Sequence, residues 1–151
     1  MSKRIHLVLV PGLLSTEEVW RAQIENLKEF CDVRVTLQNL HHDTLEAMAE
    51  GILAESPPQF AIAGSSMGGY LATLVEKIGG PRITHLCLIG GIINPQSDIQ
   101  RKVYKELLEY AERGEFEAIK RDLPSMFLNA DNQTNVTMVN QVHDMAETVG
   151  L

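Results

Sequence analysis

The stretch Gln59-Phe60-Ala61-Ile62-Ala63-Gly64-Ser65-Ser66-Met67-Gly68-Gly69-Tyr70-Leu71 decides the fold. An apolar run of strand character ends abruptly at Gly64, and the chain resumes with Leu71, Leu74, Val75 and Ile78 at helical spacing. Between them lies Gly-x-Ser-x-Gly. A serine on so tight a strand-to-helix turn is held in a strained backbone conformation. Small residues two before and two after it are needed because strand and helix approach too closely for side chains. Ser66 is the candidate nucleophile. Its hydroxyl would sit at a helix N-terminus, where free N–H groups and the dipole favour an oxyanion. Without the flanking strand and helix, the same five residues would be an ordinary glycine-rich turn.

Outward from this segment the chain alternates. Ile5 to Val10 is an apolar run closed by Pro11-Gly12, and Ser15-x-x-Glu18 is a capping box predicted to open a helix whose Trp20, Ile24 and Leu27 share a face. Val33, Val35 and Leu37 mark a second strand. Asp43 is the expected cap of a helix carrying Leu45, Met48 and Ile52, and Ser56-Pro57-Pro58 breaks the chain before a third strand, Phe60 to Ala63. The third helix ends at Gly79-Gly80-Pro81, and Ile83 to Ile89 is a fourth strand. Strands separated by single helices predict an α/β fold, a doubly wound parallel sheet with right-handed crossovers.

If the strand order is second, first, third, fourth, the loop after the first strand faces Ser66 at a switch point, where ligand crevices open. The N–H groups of Leu13 and Met67 would then converge as an oxyanion hole.

From Asp98 the character changes. Ile99, Val103, Leu107 and Tyr110 mark one amphipathic helix, Phe116, Ile119 and Leu123 a second stopped by Pro124, and Met138, Val142, Met145 and Val149 a third. The predicted division is a sheet core over residues 1–97 and a helical segment over 98–151, either a lid or helices covering a sheet face.

Composition narrows the function classes. A chain of 151 residues suits one domain able to remove roughly 70% of its unfolded surface from water. The hydrophobic fraction of 44% and charged fraction of 22% are those of an ordinary globular chain, and a net charge of −7 disfavours nucleic acid or an anionic membrane as partner. The start of the chain lacks a signal-peptide pattern, and no apolar run reaches transmembrane length. Cys31 and Cys87 form no C-x-x-C pair. Free thiols in a reducing compartment are expected, with the cytoplasm as location.

A serine nucleophile needs a base, and in strand–turn–helix hydrolases the order is Ser, acid, His. After Ser66 only His85 and His143 remain. His85 precedes the apolar centre of its strand, the wrong end of a parallel sheet, and His143 sits within a helical pattern. His41 and His42 follow the second strand, at the correct rim, but precede Ser66 and are read as a solvated pair before Asp43. Asp98 is read as a helix-starting residue.

These residues carry a resemblance. Leu7-Val8-Leu9-Val10-Pro11-Gly12-Leu13-Leu14, a downstream Trp20, and Ala63-Gly64-Ser65-Ser66-Met67-Gly68-Gly69 resemble the amino-terminal part of a small serine hydrolase of the α/β-hydrolase superfamily with a helical cap. The resemblance runs from Ile5 to Pro95 and more loosely to Leu151. It implies cleavage of a carboxylic ester or related acyl bond through an acyl-serine, on a small-molecule substrate, without metal or organic cofactor. Pro11 departs from the histidine often found before that glycine. In the superfamily two more strands follow the cap and carry the acid and the histidine, and no segment here matches either. The chain is therefore expected to be truncated and weak or inactive in this form. Its fourth strand would leave an exposed edge that recruits a second copy or a complementing fragment. Lysine at Cys87 is expected to damage the core, since parallel strands are buried on both faces. The rival reading is a non-catalytic interaction module, or a phosphate-binding one, on the same fold.

Overall fold

The computed structural model describes residues 4–91 and 97–150, which fall into two compact units divided between Gly91 and Ile92. The end of the family resemblance at Pro95 lies outside the described residues.

In the first unit the strands β1 (Ile5–Val10), β2 (Cys31–Val35), β3 (Phe60–Ser65) and β4 (Ile83–Ile89) form one parallel sheet in the order β2-β1-β3-β4. The helices between them are α1 (Arg21–Leu27), α2 (Leu45–Glu55) and α3 (Met67–Gly79). The period of two along each strand sorts side chains between faces. Val8, Val10, Phe60 and Ile62 join Ile52 of α2 and Leu71 of α3 in one core. Leu9 and Ala63 pack with Trp20 on a second cluster that includes Ile24 of α1. Helices thus cover both faces, and the expected doubly wound sheet is what the chain forms.

Some local expectations in this unit need correction. The helix after β1 is not opened by a Ser15 capping box. Thr16 accepts the Glu18 N–H at 3.4 Å and starts a single 3-10 turn, Glu17–Trp20, that leads into α1, while Ser15 is turned inward. Asp43 does not cap α2: Thr44 does, accepting the Ala47 N–H at 3.2 Å. In both cases the neighbouring residue carries equivalent cap chemistry, and the chain's approach to the helix selects between them. β4 is not buried on both faces. It is an edge strand on which only Ile83 is partly covered, and Cys87, Leu86, Leu88 and Ile89 are exposed, so lysine at Cys87 would meet solvent.

Arg82 ties this unit together below the sheet. Its guanidinium donates to the carbonyls of Leu53, Ser56 and Pro57 at 2.9–3.0 Å and lies 5.8 Å from the ring centroid of Phe60. The end of α2 and the Pro57-Pro58 break are thereby held by one cation.

The second unit contains α4 (Asp98–Glu112), α5 (Phe116–Phe127) and α6 (Val136–Val149). Ser97, not Asp98, caps α4, in a reciprocal box with Gln100, while Asp98 pairs with Arg101 at 2.8 Å. Pro124 does not stop α5. Its missing N–H costs one hydrogen bond, and the turn beyond it closes through Leu128 N–H to Pro124 O at 3.0 Å. Ile119 and Leu123 of α5 are buried, as are Val142, Met145 and Ala146 of α6. Lys120, with its side chain only 15% exposed, bridges Glu117 of its own helix and Glu147 of α6. Among the described residues, no helix is long and apolar enough to cross a membrane.

Candidate active site

The carboxyl end of the sheet is assembled from three turns. β1 and β3 are neighbours, with Val10 opposite Gly64, and β3 and β4 end together, with Ser65 opposite Ile89. The loops leaving β1 and β3 therefore emerge side by side.

Ser66 joins β3 to α3 with φ 52° and ψ −117°. This is left-handed territory for a residue with a Cβ, and it costs on the order of 1–3 kcal/mol unless the surroundings enforce it. They do. The Ser66 N–H donates to Ile89 O at 3.0 Å, and Ser66 O accepts from Gly69 N–H at 2.9 Å. A Cβ on Gly64 would lie 2.0 Å from Gly68 O, and one on Gly68 would lie 2.2 Å from Val10 O. Only glycine fits at either position, which explains the spacing of the motif. Ser66 itself is exposed, and Met67 is the first residue of α3, so its N–H is one of the donors the helix cannot use.

Opposite stands the loop Pro11-Gly12-Leu13-Leu14-Ser15. A Cβ on Gly12 would lie 3.3 Å from Ser66 Cβ and 3.2 Å from Ser65 O, so this loop rests on the serine turn. Leu13 follows and is exposed, whereas Leu14 and Ser15 are buried. Leu14 has φ 52°, and with Ser66 it makes the pair of non-glycine residues at positive φ among those described. The structure thus brings together Ser66, Met67 and the loop of Leu13. Among the described residues, no hydrogen bond occupies the N–H of Leu13 or of Met67.

Among the described residues, no hydrogen bond joins a histidine to Ser66. His85 pairs with Ala61 and bonds Thr84 Oγ1 at 3.1 Å, four residues back along the ladder from Ile89, roughly 13 Å. His42 is not simply solvated. It is partly buried, its Nε2 lies 3.2 Å from Gln38 Oε1, and a Cβ on Gly51 of α2 would touch it at 2.8 Å. His41 is exposed. His143 lies in α6 of the second unit, partly buried, its Nε2 without a hydrogen-bond partner among the described residues.

Three buried polar residues at this rim escaped the sequence reading: Thr36, 1% exposed, whose Oγ1 accepts the Gln38 N–H at 3.3 Å, Asn39 and Ser15. Asn39, on the loop after β2, is 6% exposed with neither amide atom bonded among the described residues. Ser15 is 4% exposed and donates from Oγ to Leu13 O at 3.2 Å. The signal that pointed elsewhere for Ser15 was Glu18 three residues on. Thr16, next to it, was the equally good cap.

No protein-family model matches the sequence, and no curated protein matches it. Solved structures do. A thermophilic esterase from Thermogutta terrifontis, with malate bound, is similar over 94% of this chain at 21% identity and a TM-score of 0.73. A hydrolase from Pseudomonas aeruginosa PA01 is similar over 97% at 16% identity and 0.77. The thioesterase domain from the curacin biosynthetic pathway is similar over 96% at 13% identity and 0.55. The chain spans 57–59% of the length of these three. With its four parallel strands in the order β2-β1-β3-β4 and helices on both faces, the chain has part of the α/β-hydrolase fold.

Proposed function

We propose that Ser66 is the nucleophile of a serine hydrolase that cleaves a carboxylic ester or a related acyl bond in a small-molecule substrate. The observation that carries this reading is the enforced backbone of Ser66, φ 52° on an exposed turn facing the Pro11-Gly12 loop. Strain of this kind is retained where it aims a side chain, and a nucleophile elbow is such a place. The solved structures of like fold include an esterase and a thioesterase, which fits the acyl chemistry.

In the reaction, Ser66 Oγ forms a bond to the acyl carbon and its proton passes to a base. The carbonyl oxygen becomes an oxyanion facing the N–H groups of Met67 and Leu13. Collapse breaks the bond to the leaving alkoxide, which takes up a proton, and water then releases the acid from the acyl-serine. No described histidine is bonded to Ser66, so the base and its orienting acid are unassigned within this chain. Without them, positioning and the oxyanion hole supply about 10³- to 10⁴-fold over water. Turnover by these 151 residues should therefore be weak. The helical segment is proposed to serve as a cap, and the edge of β4 to take a second copy or a complementing fragment.

A fluorophosphonate probe tests the reading. Mass spectrometry should find one adduct, on Ser66, absent in Ser66→Ala and retained in Ser65→Ala. Absence of labelling, combined with tight binding of inorganic phosphate, would replace the hydrolase by a phosphate-binding module.

A further inference from the structure

We propose that Ser15 is a positioning residue for the oxyanion donor at Leu13, an inference that rests on the reading of Ser66 as nucleophile. The loop after β1 must present an N–H to the space above Ser66 and keep its carbonyls out of it. A carbonyl oxygen pointing there would repel the charge that the acyl oxygen acquires.

Three features converge on this task. Gly12 lies against Ser66, so the next peptide along the loop, which carries the Leu13 N–H, borders the nucleophile. The Leu13 carbonyl accepts from the Ser15 hydroxyl at 3.2 Å, a partly buried bond between an exposed leucine and a buried serine. Leu14 between them has φ 52°, a conformation that leucine avoids and that turns the chain sharply. Relaxing Leu14 to negative φ would rotate the Leu13–Leu14 peptide and break its bond to Ser15. The hydroxyl therefore holds the strained form in place, and the orientation of the loop with it.

Burial makes the bond count. Ser15 is 4% exposed, so its hydroxyl has little water with which to exchange its partner, and loss of the bond leaves Leu13 O free to turn.

The test compares Ser15→Thr with Ser15→Val, which place the same bulk at the position and differ by a hydroxyl. Each variant and the parent chain are exposed to diethyl 4-nitrophenyl phosphate. The Ser66 Oγ–P bond forms, the bond from phosphorus to 4-nitrophenolate breaks, and the hydroxyl proton goes to solvent. The rate is followed as nitrophenolate release and the adduct confirmed by mass. The amide spectrum of the adduct supplies a readout that a merely structural residue would not move. The phosphoryl oxygen takes the oxyanion position, so the Leu13 amide proton should shift downfield in the parent chain and in Ser15→Thr. Ser15→Val should react on the order of ten- to a hundredfold more slowly and lack that shift.

Equal rates and equal Leu13 shifts for the two variants would overturn the inference and leave the Ser66 reading intact. So would a parent adduct in which the Leu13 amide does not move, a result needing no variant and decisive even if both substitutions prevent folding. Failure of the parent chain to form any Ser66 adduct would overturn the nucleophile reading and this inference with it.

Discussion

Gly68→Ala tests whether the packing of α3 on β1 is as close as the structure has it. The added Cβ would stand 2.2 Å from Val10 O and 2.5 Å from Pro11 O. Both are backbone atoms, so no rotamer change relieves the clash, and α3 must withdraw by about 1 Å to restore ordinary contact. A gap of that size forfeits a quarter to a half of each dispersion well. Leu71, fully buried on the same helix, makes about 40–60 contacts of ~0.1–0.2 kcal/mol, of which roughly a third face the sheet. Its share of the loss is about 1 kcal/mol. Ala72 and Val75, also fully buried, bring the total to about 2–3 kcal/mol, a sizeable part of the ~5–15 kcal/mol that holds a domain folded. The neighbouring Gly69→Ala is the internal comparison. Its Cβ meets nothing nearer than 3.5 Å, so the change should gain about 0.5–1 kcal/mol from helix propensity. Urea unfolding followed by the fluorescence of the single tryptophan, Trp20, buried against Leu9, reports on the sheet directly. If Gly68→Ala lies within the error of the parent chain, the strand–helix approach is looser than described and the argument for the glycine spacing fails.

Two further outcomes are expected. Glu147 is held below the ordinary carboxylate value of 4.5 by its hydrogen bond from Lys120, and Lys120 is held above 10.5 by its bonds to Glu147 and Glu117. The stabilisation from Glu147 is therefore complete above pH 4.5 and lost as pH falls through its lowered value, while that from Lys120 is complete below pH 10.5 and lost on further rise. The gap in melting temperature between the parent chain and Glu147→Gln should be widest between those limits and close as the pH falls through the lowered value of Glu147, and a gap unchanged in acid would contradict the assignment. Arg82→Ala should cost about 2–3 kcal/mol, because three carbonyls lose the charged Nη2 group that they share, and Arg82→Lys should recover less than about half of that, since an ammonium has no plane to lie over Phe60. Full recovery by lysine in chemical denaturation would show that charge alone matters there.

The sheet was legible because its strands are short apolar runs between helical patterns, and Ile83–Ile89 begins and ends where the pattern does. The third strand runs two residues beyond its apolar part. Gly64 and Ser65 have little strand preference, but their ladder partners Val10 and Ile89 hold them in the sheet. The open edge of β4 followed from the resemblance, whereas the exposure of its side chains did not, since an apolar heptapeptide looks the same at an edge as in the middle. At the site, the turn of Ser66 was visible in its glycines. The strain at Leu14 was not, because leucine gives no sign of left-handed backbone; it arises from what the loop must fit against. The caps at Thr16 and Thr44 were missed by one residue each, where adjacent side chains offer the same oxygen and only the path of the chain distinguishes them.

The bond from Ser66 N–H to Ile89 O ties the serine turn to the last residue of an unprotected strand. Opening of β4, the kind of local fluctuation that sheet edges undergo most readily, releases the clamp on the serine backbone at the same moment. Anything that seats against β4 and suppresses that opening also raises the fraction of molecules whose Ser66 is correctly aimed. Thermodynamic reciprocity then requires the converse: a group attached to Ser66 that favours the aimed form must tighten the seating on β4 by the same factor. The edge strand and the serine are in this sense two handles on one equilibrium, and amide exchange at Ser66 would read the occupancy of β4.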